Sequence, residues 1–219
     1  MVLLEKKNRK RSRRFTGERV SSKLVAKLLL GFSLSLSALL IEPAGSTTTN
    51  LSKPELGAPF TAEMHEVWDA IASNSLDRAV AHFFPGSAYV QMKQGVLPNP
   101  SGDFATRLLA FYKLDFVTYH QLLAKGGSSK FIGIRVNPLQ VARIQPGVCE
   151  NKIGYWHLGP VRIVYEQAGV VKSFAIASLI SWNGVWKIIH LGPNPRSHNV
   201  GTVDSPQKGA GNPGPGGGC

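Results

Sequence analysis

The dipeptide Asn183-Gly184 stands between two runs rich in apolar and β-branched residues, 170–182 and 185–191. A two-residue hairpin turn needs φ > 0 at both central positions, and Asn-Gly supplies that at least cost. The turn fixes register, so Trp182 opposes Val185, Ile180 opposes Lys187 and Ser178 opposes Ile189. Ala168-Gly169 reads as a second turn of the same kind, which sets Phe174 against Ile163 and Ile176 against Val161. Residues 161–167, 170–182 and 185–191 are therefore predicted to form a three-strand meander. One face would carry Val161, Ile163, Tyr165, Phe174, Ile176, Ile180, Trp182, Val185, Ile189 and Leu191, which is a core face. The other would carry Arg162, Val164, Ser173, Ala175, Ala177, Leu179, Ser181, Trp186, Ile188 and His190, a mixed and small-residue-rich surface. Further strands are read at 131–136, 139–144 and 153–158.

Before residue 130 the period is helical. Met64, Val67, Trp68 and Ile71 recur at helix spacing, predicting a helix over 60–73 capped by Thr61. A second helix is predicted over 76–84, stopped by Pro85-Gly86. A short strand or turn follows at 88–92. A third helix, capped by Ser101 or Asp103, runs to about 123 and ends through Gly126-Gly127. Helices followed by antiparallel strands predict an α+β fold, with N-terminal helices on one face of a curved sheet.

The net charge of +12 is distributed unevenly. Residues 1–27 hold ten basic and two acidic side chains, which is +8 of that total; the other 192 residues carry the remaining +4. Nucleic-acid binding wants basic residues on the folded part, so a nucleic-acid partner is not expected. The basic stretch instead precedes the apolar run 28–41, which reaches back to Leu24 if Lys27 is included. At 14 residues the run fits a signal-peptide core better than a span of about 20. Ala44 and Ser46 fit the small-residue positions of a cleavage site. Residues 1–46 are accordingly expected to be a signal peptide cleaved near Ser46, with a retained single-pass anchor meeting the membrane through 24–41 as the alternative. The expected location is the cell envelope or outside the cell. Residues 47–59 read as a linker, 60–191 as the folded domain, and 192–219, rich in Gly and Pro, as a disordered tail.

The stretch WDAIASNSLDRAVAHFFPGSAYV, residues 68–90, resembles the opening helices of the nuclear transport factor 2-like (ketosteroid-isomerase-like) superfamily. SFAIASLISWNGVWKIIHLG, residues 173–192, resembles its last hairpin. The resemblance implies a cone-like α+β fold, a pocket between helices and sheet, and a homodimer through the sheet. It implies no single activity, because the superfamily holds isomerases, dehydratases and non-catalytic binders.

Asp115 is the residue most out of place. At about 100° per residue it falls between Phe104 and Leu108 on the apolar face of the third helix. A carboxylate there is either hydrogen-bonded or shifted in pKa. One reading makes it a general base in a pocket, with Tyr112 or Tyr119 as hydrogen-bond donor. The other makes it a satisfied buried group, held by a tyrosine, Arg162 or a backbone amide. Arg162, Trp186 and His190 share the mixed sheet face and are candidate binding residues. His120 is expected to be solvated and His157 to be an ordinary strand side chain. Cys149 is expected to be a lone thiol, since Cys219 ends a glycine tail. The spacing of His and Cys fits no metal site, and no cofactor motif is present. The first expectation for function is an exported, non-catalytic domain that binds a small apolar ligand or a protein partner. The alternative is an isomerase- or dehydratase-type enzyme using Asp115.

Overall fold

The computed structural model describes residues 52–214. The basic leader, the apolar run, the cleavage position at Ser46 and the last five residues lie outside them. The described chain is α+β, and its strands form two antiparallel sheets of four. Helix α1 is Ala58–Ala72, α2 Leu76–Ala81 and α3 Gly86–Lys93. Helix α4, Pro100–Asp103, runs through a π-helical turn at Phe104–Leu108 into α5, Leu109–Lys125. Strands β1 (Ser129–Arg135), β4 (Val161–Gln167), β5 (Val170–Ile176) and β8 (Gln207–Lys208) form the first sheet, in the order β1-β4-β5-β8. Strands β2 (Val141–Ile144), β3 (Tyr155–Leu158), β6 (Ser178–Trp182) and β7 (Val185–His190) form the second, in the order β2-β3-β6-β7.

Several local expectations need correction. Residues 86–93 are helical, because Pro85 is extended and Ala88, Tyr89 and Met92 bury one helical face. Helix α1 starts at Ala58 with Pro59 in its first turn, so Gly57 and not Thr61 is its cap. The long helix is capped by Asn99, whose side chain accepts from the Gly102 amide at 2.9 Å. Pro138–Gln140 is a 3-10 turn, and β2 begins after it.

The three-strand meander is also corrected. Strands β4 and β5 pair in the expected register, with Ile163 opposite Phe174 and Val161 opposite Ile176. Their inner residues Val161, Ile163, Tyr165, Phe174 and Ile176 are buried as expected. The run 170–182, however, is two strands. It breaks at Ala177, and β6 joins the other sheet. A bulge between Ser178 and Leu179 then sets Ser178 opposite His190 instead of Ile189. Side chains alternate strictly, so an interruption by one residue reverses which set faces inward. In the second sheet Leu179, Ser181, Trp186 and Ile188 are buried, while Val185 is 46% exposed.

Helices α1 and α5 cover the first sheet. Trp68 lies 4.9 Å from the Tyr165 ring and 6.1 Å from that of Phe174, and Tyr119 lies 4.6 Å from Phe174. This aromatic layer is the centre of the core. Helix α2 ends at Ala81 and not at 84 as expected, because residues 82–84 pair edgewise with β7: Phe84 N donates to Ile188 O, and Ile188 N donates to His82 O.

The tail expected to be disordered is seated on the domain as far as Gly214. Strand β8 pairs with β5, with Ser173 opposite Gln207. Gly201 approaches α5 so closely that a Cβ there would meet the Leu114 carbonyl oxygen and Thr118 Oγ1. Gly201→Ala is therefore expected to lower stability by about 1–3 kcal/mol by lifting the tail. A urea titration of this variant beside the unmodified chain measures it; equal midpoints would show that the contact does not hold the segment.

Candidate functional site

A cavity of about 480 Å³ lies between α3, the π-helical turn and the second sheet. Its roof is Phe84, Tyr89, Met92 and Lys93 together with Arg107 and Leu108 from the π-helical turn. Its floor is Tyr155 and His157 of β3, Ser178 and Ile180 of β6, and Ile189 and His190 of β7. Cys149, Glu150 and Asn151 form the rim.

Each wall follows from local structure. Phe104 packs on Gly86, where a Cβ would come within 2.8 Å of its ring, and this draws α3 against the π-helical turn. Such turns are wider than an α-turn and are frequent at functional sites. Here the turn carries Arg107 into the cavity wall. Arg107 Nε donates to Asp103 Oδ1 at 2.7 Å, and its Nη2 donates to Asp103 Oδ2 at 2.6 Å and to Tyr89 Oη at 2.9 Å. Tyr89 Oη also donates to Asp103. The Arg107 hydrogen bonds hold the Asp103 carboxyl below the usual range, while burial and the Asp103 contact push the Tyr89 phenol above its own. Lys93 Nζ donates to the carbonyls of Cys149 and Glu150 at 3.0 Å each. It thereby secures a rim in which both residues have left-handed φ, 57° and 54°. Burial lowers the Lys93 pKa.

On the floor, His157 Nε2 and Ser178 Oγ are 2.8 Å apart in a hydrogen bond. Register brings His157 opposite Ile180, and the bulge sets Ser178 opposite His190. Burial lowers both histidine pKa values. That of His190 falls to about 4, through burial first and then the charges of Arg107, Arg196 and His157. Both shifts favour the neutral ring.

A second cavity, of about 1020 Å³, lies between β4–β5 and the seated tail. Arg162, Ala175 and Ala177 line one side, and Pro193, Arg196, His198 and Asp204 the other. Arg107, His157, Ser178 and His190 line both cavities, so the two meet at these four residues.

The residues singled out from sequence have different fates. Asp115 is 1% exposed and lines neither cavity. Its Oδ2 accepts from Gly192 N at 2.9 Å and Arg196 Nη1 at 2.6 Å, and its Oδ1 accepts from Thr202 N at 2.8 Å. It anchors the tail. Tyr112 donates to Ala79 O at 2.6 Å; Tyr119 donates to Ala175 O at 2.7 Å and accepts from Asp204 N at 2.9 Å. Both phenols are buried, which raises their pKa, and neither lines a cavity. Arg162 is buried in the wall of the second cavity, where it donates to the Ser173 hydroxyl and carbonyl and pairs with Asp204 at 3.1 Å. Trp186 is 2% exposed and belongs to the core, and its indole N–H has no hydrogen-bond partner among the described residues. His190 does line the site.

His120 is half-buried, with Nδ1 2.9 Å from Ile71 O. Cys149 is disulfide-bonded, not a lone thiol. That expectation rested on a free-swinging tail, and residues 192–214 are seated. Sequence reasoning missed Tyr89, Asp103, Arg107 and Ser178 as site residues. The Asp103/Arg107 spacing of four was the one local signal for them. Among the described residues, no group of three His, Cys, Asp or Glu side chains is placed to hold a metal ion. The chain matches no protein-family model, no curated protein and no solved structure.

Proposed function

We propose that the described domain holds a small molecule with an apolar body in the first cavity, and that it acts by binding rather than by chemistry. The observation that carries this is the cavity itself. Its size suits a small ligand, and Phe84, Met92, Leu108, Ile180 and Ile189 give it an apolar lining with a few converging polar groups. A pocket between helices and sheet is also what resemblance to the cone superfamily implies. We read the sheets as a cone-like arrangement on that basis, with dimerisation through the sheet as the superfamily's common mode. The isomerase- or dehydratase-type alternative needs Asp115 beside a substrate, and its carboxylate is engaged by the tail instead. The basic leader and apolar run support export, with the domain working at the cell envelope or beyond it. No helix among the described residues is long and apolar enough to cross a membrane.

The test is calorimetric titration of the full-length chain with 1-decanol. One saturable site is expected. Ile180→Trp, which fills the floor, should weaken binding by about tenfold or more, and Ile180→Ala should retain it. Unchanged binding in a folded Ile180→Trp chain would place the ligand elsewhere and end this reading.

A further inference from the structure

The four residues shared by the two cavities are all hydrogen-bond donors: Arg107, His157, Ser178 and His190. Two of them have donors to spare. Arg107 uses Nε and Nη2 on Asp103 and Tyr89, and its Nη1 makes no hydrogen bond to any described residue. The His190 ring makes no hydrogen bond to any described residue either, although it is largely buried. Arg107 and Arg196 both act against protonation of His190, while the carboxylates that pair with them, Asp103 and Asp115, line neither cavity. The only acids lining the cavities are Glu150 at the rim and Asp204 on the far wall, where it pairs with Arg162. The apolar lining begins directly beside these donors, with Ile180 and Ile189 on the same strands as Ser178 and His190.

Resting on the binding role proposed above, we infer that the junction of the two cavities holds a carboxylate head group, and that the ligand is an amphiphilic carboxylic acid whose apolar body lies in the first cavity. Arg107 Nη1 and the His190 N–H donate to the carboxylate oxygens. A hydrogen bond to a charged group is roughly twice as strong as one between neutral partners, so the head discriminates where the apolar body does not.

The experiment compares decanoate with 1-decanol on the full-length chain, by calorimetry at pH 7.5 and low salt, below the micelle concentration of the acid and the solubility limit of the alcohol. Decanoate should bind about tenfold or more tightly than the alcohol. His190→Phe, which keeps ring volume and removes the donor, should bring the two affinities to within about threefold. Arg107→Gln, at a partly exposed position, should do the same if the phenylalanine variant does not fold. Equal affinities in the unmodified chain, or a preference that survives both substitutions, overturns the carboxylate inference while leaving the cavity as a binding site. Binding of neither molecule removes the binding role itself.

Discussion

Replacing Asp115 with alanine is expected to reduce the unfolding free energy by about 3–5 kcal/mol, the range for removing one partner of a buried ion pair. The substitution leaves Arg196 as an uncompensated charge whose side chain is only 3% exposed. It also strands the amides of Gly192 and Thr202, which donate to the same carboxylate. The damage should be directional. Urea titration reads the overall loss, and hydrogen exchange reads where it falls, with the amides of Gly192 and Thr202 losing protection first. A chain with alanine at 115 that keeps both its urea midpoint and those two protected amides would show that the tail does not depend on this carboxylate. Because Asp115 lines neither cavity, decanol binding should suffer only as far as the fold does.

The second large effect is on pH. His190 has a folded pKa of about 4, against an ordinary value near 6.5, because burial and the neighbouring charges of Arg107 and Arg196 disfavour its protonated form. The unfolded chain therefore binds more protons than the folded one between pH 6.5 and 4. Stability is fully present above about 6.5 and falls as pH drops toward 4. From this residue alone the loss is about 2–3 kcal/mol, allowing for its partial contact with solvent. His157, lowered by burial, adds to it with the same sign. Asp103, held down by Arg107, contributes in turn below the ordinary carboxylate range. Urea unfolding at pH 7 and pH 4.5 measures the difference, and His190→Gln should flatten it. If that variant keeps the full dependence, the protons are taken up elsewhere.

Local grammar carried much of the fold. The Asn183-Gly184 turn gave the pairing of Trp182 with Val185, and the helical spacing of Met64, Val67, Trp68 and Ile71 gave α1 and its buried face. What failed was continuity over distance. The run 170–182 has no glycine or proline at Ala177 to announce that it changes sheet, so the burial of Leu179, Ser181, Trp186 and Ile188 was not legible, although Ile180 and Leu191 are buried as expected. The glycine- and proline-rich tail has no apolar period, yet it is ordered because Asp115 and α5 supply partners that its own sequence lacks. Asp115 was conspicuous for a sound reason, a carboxylate on an apolar face. Only its partners distinguish an anchor from a base, and those partners lie 77 to 87 residues away. The site was the least legible part. His157, Ser178 and His190 belong to three different strands, and a bulge decides that the last two are opposite one another.

The seated tail is also a wall of the second cavity, through Pro193, Arg196, His198 and Asp204. Anything occupying that cavity touches this segment, so its binding and the seating of the tail are linked. The two events then share one free energy, and thermodynamic reciprocity fixes its use in both directions. An occupant that favours the docked tail by some factor is itself held more tightly by that factor.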